Sequence, residues 1–140
     1  MDIIENLRVQ GVKESLIEDV LHFRKEFKVD DEVKHRITKS PAFYIGKDIL
    51  SMCIAAILEE ENILLSGPKA TGKNLLSDNL SEIFGRPQWN TSFHINTDSS
   101  SLIGTDTFID NEVKLRRGSV YECAIHGGFG VFDEINMAKN

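Results

Sequence analysis

The sequence predicts an α/β protein led by a helical segment, and three observations carry that prediction. From residue 42 onward, short apolar runs alternate with stretches of helical periodicity. One of these runs, Ile63-Leu64-Leu65, leads through Ser66 into a G-x-x-x-x-G-K pattern and then into a helix. Another, Gly128–Phe132, closes on two adjacent carboxylates, Asp133 and Glu134.

The elements follow in order. Over residues 3–28 the apolar positions recur at three- and four-residue steps, which predicts helix. Gly11, a poor helix former, divides a short helix from a longer one starting near Lys13 or Ser15. Asp30-Asp31-Glu32 caps a short helix running through Ile37, and Pro41 forces Ser40 out of helical geometry. Phe43-Tyr44-Ile45-Gly46 reads as an extended stretch ended by a turn. Lys47–Glu60 is a helix apolar almost all round, hence one expected to be mostly buried. Asn62–Ser66 is a short buried strand, and Lys73–Phe84 a helix stopped by Gly85-Arg86-Pro87. Thr91–Thr97 alternates around Phe93 and Ile95 as a second strand, and Asp98 starts another helix. Residues 105–117 form a hairpin turning at Asp110-Asn111, Gly118–His126 a short helix, and Gly128–Phe132 a third strand.

Composition excludes several classes. The chain has 140 residues, within the range of one domain, with ordinary hydrophobic and charged content. Its net charge of −6 and the lack of a basic stripe argue against nucleic-acid binding. Cys53 and Cys123 belong to no CxxC pair and read as reduced thiols. His22, His35, His94 and His126 show no mutual ligand spacing. The N-terminus lacks a basic n-region before an apolar run, and the longest apolar stretch, Ile49–Leu58, is too short to span a bilayer. A cytoplasmic protein without a membrane segment is expected.

Gly67-Pro68-Lys69-Ala70-Thr71-Gly72-Lys73-Asn74 matches G-x-x-x-x-G-K, with Asn where Ser or Thr is usual. In such a loop, between a strand and a helix, consecutive backbone N–H groups converge on one point. That cradle and the helix N-terminus favour an anion, and Lys73 can reach the outer phosphates of a nucleotide. Ala70 stands where many such loops carry Gly, so its backbone is expected to avoid a strained angle. Asn74 offers Mg²⁺ an amide oxygen in place of a hydroxyl, which is an acceptable hard ligand. Asp133-Glu134 is the matching partner motif. Asp133 would hold Mg²⁺ through water, and Glu134 would orient or deprotonate an attacking water. About 60 residues, with a strand and a helix among them, lie between the two motifs.

Taken together, Tyr44-Ile45-Gly46, Leu65-Ser66 with the loop through Asn74, Ser101-Leu102-Ile103-Gly104, and Gly128 through Asp133-Glu134-Ile135-Asn136-Met137-Ala138 resemble AAA+ ATPases of the MoxR and dynein-related type. The resemblance covers about residues 42–140. It implies a P-loop NTPase three-layer sandwich with a parallel sheet, incomplete at the C-terminus. Residues 1–40 would form a helical lead-in, and 41–140 a partial nucleotide-binding domain. It also implies ATP and Mg²⁺ as cofactors and a homo-oligomeric ring, often a hexamer. The activity implied is chaperone-like remodelling of a protein client, often alongside a partner with a metal-binding adhesion-type domain. Tyr44 and Ile45 match the stretch beside the adenine, and residues 105–117 match the hairpin insertion of this branch. Asn96 matches the polar residue that restrains the catalytic Glu134 in the resting state.

The family continues beyond its acidic pair with a sensor strand, an arginine finger, a fifth strand and a helical lid. We therefore expect the 140-residue chain to be a fragment that hydrolyses ATP poorly alone. Without the family's intervening strand, those at Asn62–Ser66 and Gly128–Phe132 would lack their shared neighbour. Ala70, Asn74 and the absent downstream groups motivate a second reading, a nucleotide-binding scaffold or switch with little turnover. A DNA-associated ATPase is a third, which the acidic composition does not favour. Arg116-Arg117 reads either as a solvated hairpin end or as a pair facing a pore or partner.

Overall fold

A computed structural model describes residues 1–138. They fold as two compact units, the first comprising Met1–Val29 and Ile37–Gly85, the second Asp30–Arg36 and the residues from Arg86 onward.

The first unit is helical. Helix α1 (Ile3–Gln10) starts where the Asp2 carboxylate accepts the Glu5 N–H at 2.8 Å, and it ends at Gly11 in the left-handed region. Helix α2 (Glu14–Glu26) follows. Helix α3 (Lys47–Leu58) stops two residues earlier than its apolar pattern suggests. There Glu59 caps it and Glu60 turns to φ +60°. It is also less buried than expected: Leu50, Cys53 and Ile54 face the core, whereas Ile49 and Met52 are exposed.

Helix α4 (Lys73–Phe84) supplies Leu76, Leu80, Ile83 and Phe84 to the same core, where they meet Ile3, Leu7, Ile17 and Val20. Each fully buried side chain of this size contributes about 1.5–3 kcal/mol. Phe23 of α2 packs edge-on against Phe84, ring centroids 5.3 Å apart. Arg24, also of α2, donates to the Ile83 and Glu82 carbonyls at 2.7 and 2.5 Å. It thus adds a charged donor to carbonyls at the negative end of α4. Burial pulls the Arg24 guanidinium below its ordinary value, with Asp2 and Glu82 opposing.

The expected strand at Asn62–Ser66 does not form. These residues run without regular structure, and Leu64 is 80% exposed. A strand is stable only when a neighbour takes its N–H and C=O groups, and none among the described residues does so.

In the second unit a two-stranded parallel sheet joins β1 (Gln88–Ser92) to β4 (Phe129–Asp133), pairing Gln88 with Phe129 and Ser92 with Asp133. Strand β1 begins and ends earlier than the alternation around Phe93 and Ile95 suggests. Trp89, buried, is its anchor, while Ile95 is exposed and His94–Thr97 close a turn through Thr97 N–H to the His94 carbonyl. Helix α5 (Ser99–Ile103) is capped by Asp98, which accepts the Ser101 N–H while the Ser101 hydroxyl accepts the Asp98 N–H. These bonds hold the Asp98 carboxyl below the ordinary carboxylate range.

The hairpin of β2 (Gly104–Ile109) and β3 (Glu112–Arg117) turns at Asp110-Asn111, both at positive φ, the signature of a type I′ turn. Helix α6 (Ser119–His126) leads into β4. The short helix expected from Asp30 to Ile37 is a 3₁₀ helix, Asp31–Arg36. Mixed helix and strand with a small parallel sheet is therefore the architecture present. No helix among the described residues is long and apolar enough to cross a membrane.

Candidate functional site

The residues expected to form a phosphate loop lie in the first unit. Gly67–Gly72 form an exposed loop, and Gly72, at φ +83°, turns it into α4. That left-handed angle favours glycine, and the Tyr44 ring packs beside it, 3.5 Å from where a Cβ on Gly72 would sit. Ala70 does not avoid strain as expected. It sits at φ +60°, a conformation that costs a non-glycine residue about 1–2 kcal/mol. The turn Pro68–Thr71 demands it, being closed by a bond from the Thr71 hydroxyl to the Pro68 carbonyl at 2.9 Å.

The Lys73 ammonium lies across this loop, donating to the Pro68 and Gly67 carbonyls at 2.7 and 3.2 Å. Helix α4 has no side-chain cap, in contrast to α1 and α5, and no acid in its first turn. Its first N–H groups and the positive end of its dipole are thus left to an anion. Asn74 is exposed on that first turn.

Tyr44 comes to this same loop, and Ile45, next to it in the chain, is 75% exposed. The Tyr44 ring lies over Gly72 and Gly46, and a Cβ on Gly46 would stand 2.8 Å from it. Sequence reading missed the residue that secures this segment, Asn79. Buried on α4, its Oδ1 accepts the Tyr44 N–H at 3.0 Å. Its Nδ2 donates to the Ala42 carbonyl at 3.0 Å, the Ser40 hydroxyl at 2.9 Å and the Leu75 carbonyl at 2.9 Å. A polar residue six positions past Lys73, on the face of α4 that carries Leu76, Leu80 and Ile83, was the available signal.

The acidic pair and Asn96 lie in the second unit. Asp133 ends β4, and Glu134 follows at φ +53°, its N–H held by Asp133 Oδ1 at 3.0 Å. Both side chains are exposed at the carboxyl end of a parallel strand, where ligand sites of such sheets gather. Phe93 N–H extends the pairing to the Asp133 carbonyl at 2.8 Å. Asn96 lies past the end of β1, not on it. It occupies the exposed His94–Thr97 turn, its N–H donating to His94 Nδ1 at 3.2 Å.

Arg117 sits over the Tyr121 ring at 5.3 Å, and Arg116 is exposed. Cys53 and Cys123 are free thiols, and burial pushes both above their ordinary values. His126 is more engaged than spacing suggests. Its ring stacks on Trp89, Nδ1 is 2.8 Å from Asp30 Oδ2, and Nε2 is 3.3 Å from Glu122 and 3.6 Å from Glu32.

The chain is similar to known proteins over much of its length. The model of the AAA domain, dynein-related subfamily, matches residues 62–140. The uncharacterized protein YojN of Bacillus subtilis is 32% identical over 120 residues, which are 82% of this chain and 39% of YojN. An uncharacterized Staphylococcus saprophyticus protein is 37% identical over 103 residues, 69% of this chain and 39% of its own length. An uncharacterized Staphylococcus aureus protein is 36% identical over 84 residues, 56% of this chain and 32% of its own. The chain thus spans about two fifths or less of the length of these three relatives.

Proposed function

The chain belongs to the dynein-related AAA domain family, a family of nucleotide-binding ATPases, and from that premise we propose that it carries the phosphate- and water-handling residues of an ATP hydrolase of the MoxR type. The observation that carries the reading is the bare N-terminus of α4. It has neither cap nor acid, follows a glycine loop, and has the Lys73 ammonium lying across that loop.

In this proposal Gly67–Asn74 bind the phosphates, and Lys73 exchanges the Pro68 and Gly67 carbonyls for phosphate oxygens. Tyr44 and Ile45 flank the base. Asn74 would offer Mg²⁺ an amide oxygen and Asp133 would hold the ion through water, and Mg²⁺ would supply neutralisation of charge developing on the phosphoryl oxygens. Glu134 orients the attacking water and accepts its proton. The left-handed backbone of Glu134 supports this role, since strain at a strand end accompanies functional sites. Asn96 restrains Glu134 before nucleotide arrives.

The wider reading is also proposed: a three-layer P-loop sandwich, a 1–40 lead-in before a 41–140 module, and a cytoplasmic ring, often six-fold, that remodels a protein client. The test is nucleotide binding by the protein at its full natural length, measured by calorimetry with Mg²⁺-ATP. Lys73→Ala should weaken binding by 100-fold or more, on the order expected for losing a charge-assisted phosphate contact together with its dipole site. Unchanged affinity would refute the site.

The strained Ala70 and the amide of Asn74 favour a second reading, a nucleotide-bound switch with little turnover. ATP binding without phosphate release in the full-length protein would select it.

A further inference from the structure

Four backbone groups flank the Ile45 peptide, and each has a partner inside the first unit. Tyr44 N–H donates to Asn79 Oδ1, and the Tyr44 carbonyl accepts from Gln10 Nε2 at 2.9 Å. Gly46 N–H donates to Gln10 Oε1 at 3.0 Å, and the Gly46 carbonyl accepts the Leu50 N–H at 2.9 Å. One carboxamide at the end of α1 therefore holds both sides of Ile45, donor to one residue and acceptor to the next but one, as a neighbouring strand would. Its orientation is set by the second Nε2 proton, which goes to Asn6 Oδ1 at 2.6 Å, and Asn6 is itself buried. Ile45's own N–H and C=O have no partner among the described residues, and its side chain is 75% exposed.

We propose that Gln10 is a positioning residue for the base side of the nucleotide site. It fixes the Tyr44–Gly46 backbone so that Ile45 presents an N–H and a C=O to the edge of the base, and it thereby makes nucleotide affinity depend on α1. The inference rests on the nucleotide-site reading above. Adenine offers the complement, an acceptor N7 beside the N6 amino donor. A pair of groups preformed by Gln10 spares ATP the cost of ordering them. Gln10 touches no nucleotide in this scheme and acts through the backbone it holds.

The experiment compares Mg²⁺-ATP with inorganic tripolyphosphate, which has no base, on the full-length protein. Wild type, Gln10→Ala, Gln10→Glu and Lys73→Ala are titrated by calorimetry. Gln10→Ala should lose roughly tenfold in ATP affinity, the sum of two modest hydrogen bonds, while tripolyphosphate binds as to wild type.

In Gln10→Glu the ionised carboxylate accepts from Gly46 but cannot donate to the Tyr44 carbonyl. Once protonated it regains a donor. Its ATP affinity relative to wild type should therefore recover as pH is lowered through the carboxyl range. Gln10→Ala binding ATP like wild type would overturn the proposal, as would equal losses for ATP and tripolyphosphate or no recovery of Gln10→Glu. These outcomes leave the site itself standing if Lys73→Ala abolishes binding. ATP binding indifferent to Lys73→Ala would overturn the site and the proposal with it.

Discussion

The glycine loop before α4 and the acidic end of β4 are built on different principles. Gly67–Lys73 is shaped by short-range bonds of its own, Thr71 and Lys73 both returning to the Pro68 carbonyl, and it opens directly onto a helix whose far end is fully buried. Asp133 and Glu134 are shaped by distant partners. Their strand exists only because β1, about 40 residues earlier in the chain, pairs with it. The loop is thus a local object set by bonds within its own few residues, whereas the acids are placed by topology. Changes in the loop should act on binding, and changes at the acids on turnover.

The largest expected effect breaks the two apart. Glu134→Gln in the full-length protein should lower the rate of phosphate release by about 100-fold or more while Mg²⁺-ATP affinity is kept, because the amide cannot take a proton from water. Single-turnover hydrolysis beside calorimetry would show it, and parallel loss of both would erase the contrast.

Next comes Asn79→Ala. It removes a buried amide that joins Ser40, Ala42 and Tyr44 to α4 and strands their polar groups, at a cost of about 2 kcal/mol in urea unfolding. Smaller again is Ala70→Gly, which relieves the left-handed strain and should raise stability by about 1 kcal/mol. A loss on this substitution would mean that the loop is not held in the conformation described.

The smallest effect belongs to the second unit. Asp98 has its carboxyl lowered, chiefly by the Ser101 N–H and then the Ser100 hydroxyl. A depressed acid adds stability that is present above its unfolded pKa and lost as pH falls through its lower folded value. Asp98→Ala should therefore narrow the difference in stability between neutral and acid solution, read as a smaller shift of the thermal midpoint on acidification. An unchanged shift would show that the cap is not formed in solution.

What the residues disclosed in one dimension follows the same division. The loop was legible because all its determinants lie within eight positions, and the Asp110-Asn111 turn because its backbone demands so few residue types. The Asn62–Ser66 strand misled because apolar length speaks for a buried strand, while pairing decides whether one exists. Gln10 and Tyr44 meet across 34 positions, and His126 and Asp30 across 96, so no periodicity marks them. Ala70 was misjudged since residue type predicts a preference for φ, not what a closed turn imposes.

Trp89 is the chain's sole tryptophan, buried between the His126 ring and the Arg36 guanidinium, all within the second unit. Its fluorescence is therefore a private signal of that unit, whereas far-ultraviolet circular dichroism is weighted toward the four long helices of the first. Two optical probes thus address two halves without any label. Coincident melting curves would report a single cooperative transition, and separated ones two melting bodies.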